Sequence, residues 1–66
     1  MSTDEVFLNF LLELKDIEAG AAKDYGDLSE SVSDNEIKAV LETIRDDEVR
    51  HEALVDDMIK IMKEGT

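Results

Sequence analysis

The chain has 66 residues, with 18 acidic and 7 basic side chains and a net charge of −11. That length allows one small domain, residues 1–66, whose core is marginal unless a metal, a disulfide or a partner chain supports it, and the absence of Cys leaves disulfides out. The charge argues against nucleic acid or an anionic membrane as partner and is compatible with attracting cations.

The composition suits helices, with no Pro, three Gly and many Glu, Lys, Leu and Ala. Ser2-Thr3-Asp4-Glu5 fits a capping box, so a first helix is predicted from about residue 4 to about residue 31. Phe7, Leu11, Leu14, Glu18, Ala21, Tyr25, Leu28 and Val32 then recur at steps of four and three, a stripe suited to packing on another helix at a shallow angle. Glu18 is its one charged member. Gly20 and Gly26 weaken this helix, but the stripe continues past them. The apolar-rich run Val6 to Leu14 is too short to span a bilayer. No basic n-region is visible before it, so cytoplasm is the expected location.

Ser29 to Asn35 has turn composition, and Ser33-Asp34-Asn35-Glu36 is a second capping box. A second helix is therefore predicted over about 34–63. Its stripe is Ile37, Leu41, Ile44, Glu48, His51, Val55, Met58 and Met62, apolar except for Glu48 and His51. Lys60 and Lys63 suit the helix C-terminus, and Gly65 is a plausible stop. The fold expected is all-α, an antiparallel two-helix hairpin.

The polar interruptions of the two stripes meet. Glu18 lies 15 residues before Ser33 and Glu48 lies 15 after it. At equal rise both sit ~22 Å from the turn. His51, the only His, is three residues from Glu48 and so on the same face. Two carboxylates at one buried level repel and are costly to desolvate unless neutralised, and no Lys or Arg lies on either stripe. A divalent cation held by Glu18, Glu48 and His51 is the simplest neutraliser. Against this stand the ordinary roles of solvated or ion-paired Glu and a packed His, with Arg45 and Arg50 as the nearest bases.

One hairpin leaves such a metal open on one side, and its apolar stripe with it. Two hairpins packed about a two-fold axis would form a four-helix bundle holding four Glu and two His. Their four negative charges match two divalent cations, with Glu48 in the bridging position and Glu18 chelating from the flank.

Glu18 followed by Glu48-x-x-His51 on the next helix resembles half of the ferritin and rubrerythrin di-iron bundle. It is most similar to the encapsulated ferritins, whose single half builds the site across a dimer, and whose spacing and Tyr two turns after the first Glu look matched by Glu18, Tyr25, Glu48 and His51. The resemblance covers about residues 5 to 62. It implies a ferroxidase with two irons per dimer, oxidising Fe(II) with oxygen or peroxide. It also implies a homodimer or higher oligomer and a protein shell as partner, with no addressing tail seen after Lys63-Glu64-Gly65-Thr66. The acidic entry site of that family is not matched, because Ile17 and Gly20 stand where carboxylates would flank Glu18.

Tyr25 is either a hydrogen-bonding or redox-active neighbour of the metals or a core aromatic. Met58 and Met62 read as core. Val6, Phe7, Leu8, Phe10, Leu11, Leu12 and Leu14 cover more than one helix face, which marks a further interface. Two other functions fit the same residues: a Zn- or Mn-stabilised module without catalysis, and a metal-free helical oligomerisation module.

Overall fold

A computed structural model describes residues 2–65. It has two helices, α1 (Thr3–Ser31) and α2 (Asn35–Glu64), which pack against each other as a hairpin. Each end is set by local chemistry. Ser2 caps α1 by accepting from the Glu5 N–H at 3.2 Å, as its capping box predicts. The Val32 N–H closes that helix on the Leu28 carbonyl at 3.1 Å. At the start of α2 the cap is Asp34, whose carboxylate accepts from the Ile37 N–H at 2.9 Å. The cap expected at Ser33 is thus moved by one residue, and Ile37 in place of a Glu means that no reciprocal box forms. Asp34 is the better cap because a full negative charge meets the positive end of the helix dipole. Gly65 ends α2 in ordinary right-handed geometry, its N–H on the Ile61 carbonyl at 2.8 Å. Gly20 and Gly26 both lie inside α1, which runs through them without a break.

The seam between the helices is rotated by about one residue from the predicted stripes. On α1, Leu11, Ala22 and Ser29 are buried, while Phe7 and Leu28 are exposed. On α2, Val55 and Ile59 are buried, while Ile37 and Met58 are exposed. Met58 is therefore not core in the hairpin. The largest packed cluster is Leu11, Val55 and Ile59, wrapped by Leu8, Leu14 and Met62. It occupies the half of the hairpin away from the turn.

The half beside the turn is joined by smaller groups. The Arg45 stem lies across Gly26, close enough that a Cβ there would sit 3.4 Å from its Cδ. Ser29 is buried, with its hydroxyl donating to the Gly26 carbonyl at 2.8 Å. Lys15 and Asp56 bridge the helices at 2.8 Å on the outer side of the seam.

The hairpin measures 49 × 17 × 12 Å, with a radius of gyration of 15.1 Å. A compact domain of this length would have a radius near ~11 Å, and one of twice the length ~14 Å. Among the described residues no helix is long and apolar enough to cross a membrane.

Candidate metal centre

Glu18 sits at the middle of α1 and Glu48 at the middle of α2, so the antiparallel pairing brings them to one level. His51 stands one turn along from Glu48 on the same helix. One ligand atom from each of the three lies within 4.8 Å of the others. Both glutamates are half-buried and His51 is exposed. The convergence predicted from residue spacing is present in the hairpin.

The environment is unusual for carboxylates. Glu18 Oε2 is sealed from solvent and accepts no hydrogen bond. Buried acceptors are normally paired, so this atom calls for a cation or a proton. The Glu48 carboxyl is held above its ordinary range, first by its hydrogen-bonding approach to Glu18, then by desolvation and the Glu18 charge. His51 pulls it the other way, and Asp47 adds a smaller upward push. A cation held between the two carboxylates would relieve both the repulsion and the desolvation cost.

Four of the seven basic residues are engaged elsewhere. Arg45 donates to Asp46 at 3.1 Å from Nε and 2.9 Å from Nη2, and Arg50 pairs with Asp47. Lys15 and Lys23 pair with Asp56 and Asp27. None of the four ion pairs among the described residues reaches Glu18 or Glu48. Those four residues therefore do not supply the positive charge missing from the two stripes.

The donor set fits a divalent transition metal: two hard carboxylates and one imidazole, on two rigid helices. Three donors leave coordination positions open. Tyr25 is half-buried and stands outside the triplet. Asp47 was not singled out by the stripe argument. It neighbours Glu48 and acts on its charge. The signal that could have found it is a second row on α2, offset from the seam, in which Asp47 and His51 are the only polar members.

Comparison with protein-family models, with curated proteins and with solved structures returns no match.

Proposed function

We propose that Glu18, Glu48 and His51 form half of a di-iron centre, completed by the same residues of a second copy. The protein would then oxidise Fe(II) to Fe(III). The observation that carries this reading is the solvent-sealed, unpartnered Glu18 Oε2 within a triplet of ligand atoms no more than 4.8 Å apart. Its resemblance to the encapsulated ferritins, a dimer of ferritin-like half-bundles, rests on the same residues at the same spacing.

The stoichiometry follows from charge. Two copies bring four carboxylates and two imidazoles, enough to neutralise two Fe(II) and leave positions for an oxidant. Adjacent ferrous ions supply two electrons together. With oxygen the balance is two Fe(II), one O2 and two protons giving two Fe(III) and H2O2; with peroxide it is two Fe(II), one H2O2 and two protons giving two Fe(III) and two waters. The chain's own part is to hold substrate iron from two helices at once. Glu18 and Glu48 bind by exchanging their mutual repulsion for a cation, and His51 supplies the only side-chain nitrogen ligand available to the chain. In the dimer, the apolar residues around the site would exclude water from the side that one hairpin leaves open.

The test is an aerobic titration of metal-free protein with Fe(II), followed by ferric absorbance in the near ultraviolet. A fast phase saturating near one iron per chain is expected, and Glu48→Ala should abolish it while circular dichroism shows the helices intact. A rate no higher than the protein-free control overturns the ferroxidase reading. Zinc-dependent melting then separates a metal-stabilised module from a metal-free one.

A further inference from the structure

The chain has no Cys, so its sulfur chemistry rests on three Met. Among the described residues these are Met58 and Met62, one turn apart on α2. The fold treats them differently. Met62 is half-buried against the packed cluster of Leu11, Val55 and Ile59. Met58 is 37% exposed, and its neighbours one turn away on either side, Leu54 and Ile61, are more open still at 55% and 67%. At about 100° per residue, His51, Leu54, Met58 and Ile61 share one side of α2, turned away from Val55 and Ile59. Met58 stands two turns beyond His51, ~10 Å along the axis.

That side of α2 is where a shared site requires contact. His51 is exposed, and completing its metal with ligands from a second copy brings that copy onto the side that carries it. Met58 then passes from water into an apolar contact. A thioether suits such a contact, being apolar and polarisable. Its sulfoxide does not. The S=O group is a strong acceptor, neither Leu54 nor Ile61 has a side-chain donor to meet it, and an unpaired polar group is costly to bury.

The proposed reaction with oxygen also releases the reagent that makes this change, one H2O2 for each pair of Fe(II). Peroxide transfers one oxygen to the thioether: a sulfur lone pair forms the S–O bond as the O–O bond breaks. The other oxygen leaves as hydroxide and takes the proton of the transferred one, giving water. The sulfur loses two electrons and the peroxide gains two.

We propose that Met58 is a peroxide-modified site whose sulfoxide stops a second copy from docking, so that peroxide released by iron oxidation limits further assembly of the centre. This rests on the shared-site reading above and adds its regulation. The modification acts on the unpaired hairpin, where the Met58 sulfur is open, and pairing covers it. Met62 meets the same peroxide one turn away and reacts more slowly, because the packed cluster shields it. Methionine sulfoxide reductases return the thioether, so the block is reversible.

The experiment compares the parent with Met58→Leu, each metal-free and zinc-loaded, before and after treatment with hydrogen peroxide. Peptide mass mapping reads the added oxygen at each Met separately, and sedimentation equilibrium with zinc reads dimerisation. In the metal-free parent Met58 should gain oxygen several-fold faster than Met62, and zinc loading should slow Met58. Two unpaired polar groups in one interface should raise the parent's dimer dissociation constant at least ~10-fold. Sulfoxide reductase should restore it, and Met58→Leu should dimerise equally before and after peroxide. Three outcomes overturn the inference and leave the shared site standing: Met62 oxidised as fast as Met58, an oxidised parent that dimerises as tightly as before, or a Met58→Leu dimer lost on treatment. A zinc-loaded parent that is monomeric before any peroxide overturns the shared site, and this inference with it.

Discussion

Glu18→Gln separates a metal centre from a chance meeting of acids. The substitution keeps the shape of the side chain and removes its charge. In the metal-free protein it removes the like-charged group that acts most strongly on Glu48, and the amide can donate where Glu18 Oε2 now has no partner. Metal-free Glu18→Gln is therefore expected to melt no lower than the parent. With metal the order reverses. Losing an outer-shell partner costs ~10–100-fold in metal affinity, and losing one of three direct ligands should cost at least the upper figure. A metal present at 100 times its dissociation constant stabilises by about 2.7 kcal/mol, and a 100-fold weaker site forfeits most of that. For a chain of this size each kcal/mol shifts Tm by about 4–8 °C, so the metal-induced shift should shrink by about 10–20 °C. The assay is melting at 222 nm with and without Zn(II), at one protein concentration because a dimer's Tm depends on it. An equal zinc-induced shift in parent and variant would refute the assignment of Glu18 as a ligand.

Further expectations follow from the same geometry. Because the folded state raises the Glu48 carboxyl, the stability this group contributes is fully present below its unfolded pKa and is lost as pH rises through the folded one. Metal-free protein should therefore lose stability on going from pH 4 towards neutrality, and Glu48→Gln should flatten that slope; an unchanged slope in urea titrations at several pH values would remove Glu48 as its cause. Leu11 is 1% exposed and central to the packed cluster, so Leu11→Ala should cost ~2–5 kcal/mol. Leu12→Ala, at an exposed site, should stay within about 0.5 kcal/mol. Comparable losses for the two variants by chemical denaturation would show that the seam lies elsewhere.

Much of this architecture was legible from residue order. Cap chemistry located three of the four helix ends to within a residue, and equal counting from Ser33 placed Glu18 beside Glu48. The rotation of the seam was not legible. Both helices carry apolar residues over an arc wider than one neighbour can cover, and a periodicity does not say which part of the arc faces which neighbour. The most apolar rows, with Phe7 and Leu28 on α1 and Ile37 and Met58 on α2, are the ones the hairpin leaves open. Lys15 and Glu52 instead lie close to the seam because long side chains can bury their stems along its rim. The choice of Asp34 over Ser33 as cap was hidden for a different reason, since both are favoured cap residues and only the backbone geometry decides. The solvent-sealed oxygen of Glu18 depends on the packing around it, which no spacing encodes.

The uneven seam also bears on how the chain opens. A hairpin of helices ordinarily frays from its free ends, where the last turns have the fewest neighbours. Here the packed apolar cluster, Leu8, Leu11, Leu14, Val55, Ile59 and Met62, gathers towards those ends, while the turn half is stitched by Ala22, Ser29 and the Arg45 stem on Gly26. The Lys15–Asp56 bridge joins residues 41 apart in sequence within the same half. The molecule is thus closed like a clasp rather than a zip. Its strongest contacts are also its most distant along the chain, so they form only once nearly all the intervening backbone is in place. Opening them should release both helices together, so melting is expected to follow one cooperative transition in place of gradual unravelling from the tips.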